Sequence, residues 1–294
     1  MRKITFMALC ICCVVLCGYA QQKQGHARIP ISRGTGNATM VDRTRLRVWY
    51  AMNAEKIEDI DTYIDCQRLD IGDSIMKYYS WFVFNSDSLR AEWSKKNPHA
   101  KAAPSWLGAG GKKQINWCQY EWSDFYIKKG QLTEYACMPS RLEQYNSYYT
   151  ESYPQMKWEL GTERQTILGY DCQKASCQWR GRAYEAWFTS AIPIKAGPWK
   201  FGGLPGLILK VYDTKHLYTF EAVGIEKGKY PIMQYEYKGY KKSIRTTVQK
   251  YQRTFTENWT KSVGWQKGTI DAGGHVVLGE VLSIHTDYEP LEKE

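Results

Sequence analysis

The chain has 294 residues, of which 14% are aromatic and 24% charged, and its formal net charge is +10 at pH 7. No Pro- or Ser-rich linker and no internal repeat divides it, so its length suits one β-rich domain rather than an array of modules. Excess basic charge is also a feature of nucleic-acid-binding proteins. An exported protein rarely meets nucleic acid, so the interpretation of the charge depends on whether the chain is exported.

Residues 1–20 have the features of a secretory signal peptide. Arg2 and Lys3 precede an apolar run that ends at Cys17, and small residues precede a cleavage site before Gln21. The run is too short for a membrane span and no second one follows, so we expect no transmembrane segment in the mature chain. We expect an exported protein, periplasmic or associated with the outer membrane. Removing Arg2 and Lys3 leaves 38 basic and 30 acidic residues, a charge of +8 that suits anionic envelope partners and not nucleic acid.

Five of the nine cysteines remain after the signal peptide is removed. In an oxidising compartment they are candidates for disulfides, and because five is odd at least one is free or pairs between chains. The candidates are Cys66, Cys118, Cys137, Cys172 and Cys177. Cys172 and Cys177 would lie about 16 Å apart in an extended strand, too far to bridge each other. No His lies near these two in sequence, and we expect neither a metal site nor a cofactor.

Residues 21–40 are polar, Gly-rich and aperiodic, which predicts a disordered lead-in to a single domain over residues 41–294. Alternating aromatic segments between turn residues predict a mainly β (α+β) domain. The predicted strands are Arg45–Ala54, Thr62–Gln67, Ile75–Phe84, Asn116–Tyr126, Leu132–Met138, Tyr145–Glu151, Lys157–Leu160, Tyr170–Trp179, Ala183–Thr189, Leu207–Tyr212, Leu217–Ile225 and Val276–Ile284. We expect a strongly curved antiparallel sheet, shaped as a half-barrel or barrel, because closing such a sheet protects its edges.

Two helices are predicted to pack on this sheet. Ser86 caps the first, a short N-terminal helix that Pro98 ends. The second is a C-terminal amphipathic helix, with Ser243 as a candidate N-cap. Its apolar stripe consists of Ile244, Val248, Tyr251, Phe255 and Trp259. We expect this stripe to face the sheet rather than a membrane surface.

The segment from Ser190 to Gly206, here called the crossover, carries seven Gly or Pro residues between bulky apolar ones. Pro fixes φ and Gly permits turns that are closed to other residues, so the crossover is predicted to be rigid and folded back. The motif residues are Gly197, Pro198, Gly203, Pro205 and Gly206. Only Ser190, Lys195 and Lys200 are available to solvate the segment. We therefore predict that it lodges against the sheet and leads into the strand at Leu207.

The sequence contains none of the common catalytic signatures for hydrolases, metalloproteases, phosphate loops or dinucleotide sites. We assign no catalytic residue. The strands flanking the crossover carry apolar side chains on both faces, whereas a half-buried sheet has one polar face. The second face is either covered by the helix and crossover or lines a cavity for a hydrophobic ligand.

The residues assigned to that ligand site are Arg182, Trp187, Trp199, Phe201 and Leu204. Arg182 is expected to pair with an anionic head group of the ligand, or instead with Glu185 or Glu221.

Part of the crossover resembles the signature of a known family. Residues 203–208 read Gly-Leu-Pro-Gly-Leu-Ile, and the similarity continues in several shorter segments. These are Gly169–Ala175, Gly181-Arg182, Trp187-Phe188-Thr189, Ile192-Pro193, Gly197–Phe201 and, more weakly, Leu69–Ser74 and Tyr288–Glu292. On these residues the chain resembles the GLPGLI family, secreted proteins of Bacteroidetes named after the motif. The resemblance implies secretion, and it implies no particular reaction, cofactor or ligand.

These features favour an exported binding or carrier protein whose sheet holds an apolar or lipid-like ligand near the outer membrane. The alternative is a non-catalytic envelope module that binds another protein through aromatic and basic surface. A second alternative is an enzyme whose reaction the sequence does not identify.

Overall fold

The structure is a computed structural model that describes residues 38–101, 103–104, 107–108, 123–138, 142–262, 264–270, 276–283 and 290–293. The predicted signal peptide, the predicted lead-in up to residue 37 and Cys118 lie outside the described residues. No described helix is both long and apolar enough to cross a membrane.

The described part of the chain is mainly β, as predicted, with two α-helices. The strands are β1 Ala38–Met52, β2 Asp65–Gly72, β3 Ile75–Ser80, β4 Asp124–Lys128, β5 Gln131–Ala136, β6 Ser147–Ser152, β7 Glu159–Ile167, β8 Tyr170–Trp179, β9 Arg182–Thr189, β10 Leu207–Asp213, β11 Thr219–Lys227, β12 Pro231–Tyr235, β13 Lys241–Lys242, β14 Gly264–Ile270 and β15 Val276–Ser283. The helices are α1 Trp81–Lys96 and α2 Arg245–Ser262. Short 3-10 turns occur at Ile60–Thr62 and Glu143–Tyr145.

Thirteen of the described strands form one sheet in the order β13-β6-β5-β4-β3-β2-β1-β11-β10-β9-β8-β7, and β12 pairs with β1. Every pairing in this sheet is antiparallel except β13 with β6. The long strand β1 pairs with β12 through its first half and with β2 and β11 through its second half, with bulges in all three ladders. Bulges bend a strand, so β1 is able to pair with β12 on one part of its length and with β2 and β11 on the other. Strands β14 and β15 form a separate hairpin.

Helix α1 begins earlier than predicted, and the predicted N-cap at Ser86 is wrong. The side chain of Ser80 accepts a hydrogen bond from Val83 N at 3.1 Å, and its hydroxyl donates to Asp65 Oδ1 at 3.0 Å. Ser86 instead lies buried in the helix, where its Oγ accepts from Leu107 N. Residues 81–84, which were predicted as strand, are helical. Ser80, held by Asp65 of β2, caps the helix, so the pairing of β3 with β2 ends at Ser80.

Helix α2 has the predicted position, beginning one residue after the stripe was expected to start. The carbonyl of Ile244 accepts the first helical hydrogen bonds, from Thr247 and Val248, and the Ile244 side chain is exposed. Val248 is fully buried in a cluster with Tyr149 of β6. The helix therefore packs on the sheet near β6; the side chains of Phe255 and Trp259 lie outside the described residues.

Candidate functional site

The crossover packs into the core, as predicted. Trp199, Phe201 and Leu204 are each no more than 1% exposed. The Trp199 ring lies 5.5 Å from Trp179 of β8, and the Phe201 ring lies 4.8 Å from Tyr184 of β9. The apolar side chains that the sequence places between Gly and Pro residues are thus core side chains, and the crossover packs against β8 and β9.

A buried loop must find partners for its backbone carbonyls, and here aromatic side chains supply them. The hydroxyl of Tyr153 donates to Phe201 O and the indole of Trp158 donates to Gly202 O, both at 2.8 Å. The hydroxyl of Tyr50 donates to Ile208 O, also at 2.8 Å, where the crossover enters β10. The many Tyr and Trp residues of the chain therefore also satisfy the polar groups of its interior.

Two glycines of the motif are required for different reasons. Gly203 has φ +88°, a conformation that other residues adopt only with strain. Gly206 does not have positive φ, but a Cβ there would lie 2.7 Å from the carbonyl carbon of Thr189 and closer still to its oxygen. Close approach of β9, not backbone conformation, is what excludes a side chain at Gly206.

Lys200 does not solvate the crossover, contrary to prediction, because its side chain is completely buried. Its Nζ lies 3.1 Å from Glu134 Oε2 and 2.8 Å from Glu292 Oε1, and it donates to the hydroxyl of Tyr149 at 2.7 Å. That hydroxyl in turn donates to Glu134 Oε2 at 2.7 Å. Each polar atom around the Lys200 ammonium thus has a partner, as a buried charge requires.

The network extends outward from Glu292, whose side chain is fully buried. Arg180 Nη1 lies 2.6 Å from Glu292 Oε1, and Arg245 Nη1 lies 3.3 Å from Glu292 Oε2. Arg180 also reaches Glu151 Oε2 at 2.7 Å, and Gln249 donates to Glu292. We call this group the ion cluster; its charged members are Glu134, Glu151, Arg180, Lys200, Arg245 and Glu292. Three cations face three carboxylates, so the cluster is neutral overall.

The surroundings of Glu134 and Lys200 favour the charged form of both groups. Burial opposes ionisation of Glu134, but the Lys200 ammonium and the hydrogen bonds from Tyr149 and Ser123 outweigh it and lower the pKa of the carboxyl. Burial likewise opposes the charge on Lys200, yet Glu134 and Glu292 raise its pKa. A general acid or base needs a pKa near the working pH. Glu134 and Lys200 are moved away from that range, so the cluster is arranged to hold the crossover in place rather than to transfer protons.

Arg182 is buried against a partner that the sequence did not suggest. Its Nη1 lies 2.9 Å from Asp213 Oδ2, and both side chains are almost completely buried. The two expected partners are engaged elsewhere, Glu185 with Lys174 and Glu221 with Lys210. The pairing expected with Glu185 or Glu221 is therefore wrong.

All five residues that were assigned to a ligand site are buried by other parts of the protein. Trp187 is 8% exposed, and the Lys174 ammonium lies 5.9 Å from its ring centre. Trp187, Trp199, Phe201 and Leu204 belong to one buried cluster of hydrophobic side chains. Arg182, the first residue of β9, is 5% exposed and pairs with Asp213. Their role in ligand binding stays a prediction.

The four described cysteines are free thiols, and all are buried. Burial raises the pKa of Cys172 to about 11 and that of Cys177 to about 12, and it also raises that of Cys66. Such thiols are largely protonated and unreactive at neutral pH. No disulfide joins Cys66, Cys137, Cys172 and Cys177 to one another, and a disulfide to Cys118 involves a residue outside the described ranges. Within those ranges no group of His, Cys, Asp or Glu side chains is placed to hold a metal ion.

A tyrosine surface, which sequence reasoning missed, lies on β4, β5 and β6, on the face opposite Glu134 and Tyr149. Its members are Tyr126, Tyr135, Tyr148, Tyr235, Tyr237 and Tyr240. Tyr135 is stacked between Tyr237, with ring centres 3.8 Å apart, and Tyr148, with ring centres 5.3 Å apart. Tyr135, Tyr148, Tyr235 and Tyr240 remain partly exposed. The Tyr-x-Tyr spacing at 235 and 237 was the available sequence signal, but strands β12 and β13 were not predicted.

A buried cation supports the tyrosine surface from beneath. The Lys77 ammonium lies 4.7 Å from the ring centre of Tyr235 and 5.2 Å from that of Tyr126, and it donates to Met233 O at 2.8 Å. The hydroxyl of Tyr237 donates to Asp124 Oδ2 at 2.5 Å. These contacts fix the rings in place, so the surface is rigid before any partner arrives.

Exposed lysines border the tyrosine surface. They are Lys128, Lys238, Lys241 and Lys242. None of the four forms an ion pair with another described residue. An open cleft of about 640 Å³ adjoins the surface at Tyr235. It is lined by Ala38, Thr39, Val41, Gln234, Tyr235 and Glu236.

Comparison with known proteins finds one family model that matches part of the chain. It is described as the N-terminal domain of an N-glycanase peptide and matches residues 119–250, which include the crossover. No curated protein matches the chain.

Among solved structures, PNGF-II in space group P21 is similar at 13% identity over 75% of this chain and 34% of that one, with a TM-score of 0.45. PNGF-II in space group C2 is similar at 14% identity over 71% of this chain and 33% of that one, also with a TM-score of 0.45. The chain spans about a third of the length of these structures.

Proposed function

We propose that this chain is a non-catalytic recognition module of the cell envelope that binds a partner protein through the tyrosine surface. The observation that carries the proposal is the combination of partly exposed, closely packed rings with lysines around them that form no ion pair with another described residue. Tyrosine contributes large contact area and a hydroxyl at little cost in conformational entropy, and it is enriched at protein interfaces. The bordering lysines favour a partner of acidic surface.

The state of the ion cluster supports a non-catalytic role. Glu134 and Lys200 are ionised, paired and buried, so no substrate reaches them and neither has a pKa suited to proton transfer. The charged groups at the heart of the domain therefore contribute to the fold, and recognition is left to the surface.

The family-model match suggests which partner to test first. The matched family is named for an N-glycanase, and the matched region is its N-terminal domain. A protein that carries N-glycans is accordingly the partner class that we propose.

Export and family membership also stand as proposals. The signal-peptide pattern of residues 1–20 supports export to the periplasm or outer membrane. The Gly-Leu-Pro-Gly-Leu-Ile motif at residues 203–208, together with the shorter similar segments, supports membership in the GLPGLI family.

We further propose that the sheet is strongly curved and open, as a half-barrel is. Nine inter-strand steps separate β6 from β8 in the sheet order, about 43 Å in a flat sheet. Yet Arg180, at the end of β8, lies 2.7 Å from Glu151 of β6. In addition, Trp199 packs on β8 while the adjacent Lys200 binds Tyr149 of β6. Curvature brings the two sides of the sheet together around the crossover without a continuous ladder between them.

A carrier of an apolar or lipid-like ligand is the second candidate, and the open cleft beside Tyr235 is the observation in its favour. The residues first assigned to such a ligand are buried, so the cleft would have to serve instead. Native mass spectrometry of protein purified from its own envelope separates the candidates. A co-purifying lipid supports the carrier, and a stoichiometric protein partner supports the module.

Binding to a matched pair of test proteins checks the proposal directly. Ovalbumin is an acidic protein that carries an N-glycan, and enzymatic removal of the glycan gives a matched protein without it, so surface plasmon resonance on both reports whether a glycosylated protein is preferred. We expect binding to glycosylated ovalbumin, and we expect the double variant Tyr148→Ala/Lys242→Ala to bind about tenfold more weakly. The matched control Tyr170→Ala/Lys195→Ala changes the same residue types away from the tyrosine surface and should bind normally. Equal loss in both variants, or no binding to either form of ovalbumin, would count against the proposal.

A further inference from the structure

The segment Pro290–Lys293, here called the clasp, occupies the interior of the domain in the way a bound peptide would. Leu291 is completely buried and Glu292 is 1% exposed. The clasp belongs to none of the described strands. Side chains of Arg180, Arg182, Tyr184, Lys200 and Arg245 contact it, and the Arg180 carbonyl accepts from its backbone. The walls of the site in which it lies are side chains from elements far apart in the chain.

The backbone of the clasp forms three hydrogen bonds with other parts of the domain. Arg182 Nη2 donates to Pro290 O at 2.5 Å, and the hydroxyl of Tyr184 donates to Leu291 O at 2.6 Å. Lys293 N donates to Arg180 O at 3.0 Å. Three residues of the clasp are thus each held through a main-chain atom, which fixes its direction and register.

The side chains of the clasp give the site its chemical selectivity. Leu291 belongs to the same buried cluster as Tyr184 and Phe201. The Glu292 carboxylate accepts from Lys200, Arg180 and Arg245. Along the clasp, the Leu291 side chain therefore lies in an apolar pocket and the Glu292 side chain lies in a pocket lined by three cations.

Charge balance shows what the site requires. The ion cluster contains three cations, and among its described members Glu134 and Glu151 are the carboxylates that remain when Glu292 is removed. Buried charge without a counter-ion is strongly unfavourable, so the site needs one carboxylate from the segment that fills it.

We propose that this site is a peptide-binding site for a Pro-Leu-Glu sequence, which the chain fills in cis with its own clasp and which the same segment supplied in trans also fills. The contacts that select the segment are side-chain contacts, so covalent connection to the rest of the chain is not needed for recognition. Connection raises the effective concentration of the clasp and keeps the site filled.

The test uses the full chain with a protease recognition sequence inserted between Asp287 and Tyr288. After cleavage and dialysis, a fluorescein-labelled synthetic peptide of residues 288–294 is titrated in, and binding is followed by anisotropy. We expect saturable binding that the unlabelled peptide competes away. A peptide with Glu292→Gln should bind at least about tenfold more weakly, because it leaves a cation of the cluster without its counter-ion. Equal binding of the two peptides, or no binding of the first, overturns the proposal.

A second measurement covers the outcome in which the cleaved chain unfolds when its clasp dissociates. A ligand that binds only the folded state raises the melting temperature with concentration. The peptide of residues 288–294 should then raise the melting temperature of the cleaved chain, and the Glu292→Gln peptide should raise it less. A melting temperature that does not respond to the first peptide overturns the proposal.

Discussion

Arg180 and Glu151 form an ion pair, with 2.7 Å between Nη2 and Oε2, although they belong to parts of the sheet that are far apart in strand order. Both side chains are mostly buried, at 17% and 19% exposure. The pair therefore joins the two sides of the sheet directly, at the place where the crossover and the clasp meet.

A double-mutant cycle measures this connection. Arg180→Ala and Glu151→Ala should show a coupling energy of about 1 kcal/mol or more in urea unfolding, as expected for members of one buried network. The exposed pair Arg164–Asp171 has similar geometry at 2.8 Å and serves as the matched control. Exposed pairs contribute about 0.2–1 kcal/mol. Coupling in the Arg180 cycle no larger than in the control would show that the two sides of the sheet do not meet in this way.

Lys200→Met should destabilise the domain by about 3–5 kcal/mol, because it leaves the carboxylates of Glu134 and Glu292 buried without their shared cation. The loss should be larger at pH 8 than at pH 5. Without Lys200 the pKa of Glu134 rises, so the folded state keeps a proton that the unfolded state releases, and stability falls as pH increases. Chemical unfolding at the two pH values measures both effects. Lys195→Met, in the exposed part of the crossover, is the control and should change stability by less than about 0.5 kcal/mol.

Gly206→Ala should destabilise the domain by more than about 3 kcal/mol, since the added Cβ has no space beside the Thr189 carbonyl. Gly203→Ala makes the same chemical change where the added Cβ would meet no atom closer than 4.0 Å, but at φ +88°, so it should cost only about 1–2 kcal/mol of backbone strain. Pro205→Ala, at an exposed position, should cost less than about 1 kcal/mol through the unfolded state. Thermal or urea unfolding of the three variants ranks them. If Gly206→Ala were as stable as Gly203→Ala, the close approach of β9 to the crossover would be disproved.

Asp65 gives the domain a component of stability that depends on pH. The carboxyl is fully buried, its Oδ2 has no hydrogen-bond partner among the described residues, and burial raises its pKa well above the ordinary value. A raised folded pKa means that this contribution is complete below the unfolded carboxyl pKa and is lost as pH rises from there to the folded pKa, by up to about 1.4 kcal/mol per pH unit. Asp65→Asn should remove that dependence because an amide does not titrate in this range, and its oxygen is still able to accept from Ser80.

Unfolding free energies between pH 5 and pH 8 test this prediction. The parent should lose stability relative to Asp65→Asn as pH rises across this interval. The control Asp73→Asn changes an exposed carboxylate that pairs with Arg45 and should leave the pH profile of the parent nearly unchanged. Parallel profiles for the parent and Asp65→Asn would mean that the Asp65 carboxyl is already ionised in the folded state.

The sequence alone determined the mainly β class, the positions of most strands and the packing of the crossover. Alternation along strands such as β8 is a local signal with a period of two residues, and the Gly and Pro residues of the crossover act on their own backbone. Both signals depend on neighbouring residues alone, so they predict strands and a folded-back crossover without knowledge of the fold. The start of α1 was misplaced because its cap at Ser80 is supported by Asp65 across the β2–β3 pair, a contact with no local signature.

Only the tertiary structure decided where the charges go. The sequence around Lys200 predicts a solvent-exposed side chain. Its burial depends instead on Glu134 and Glu292, which are 66 and 92 positions away along the chain. An ion pair forms wherever opposite charges are brought close, and no periodicity in the sequence records that approach. The tyrosine surface has the same origin, since Tyr135 and Tyr237 stack only after β5 and the residues following β12 are folded against each other. Local residue patterns fix which segments are strands, whereas long-range packing determines which side chains share a site.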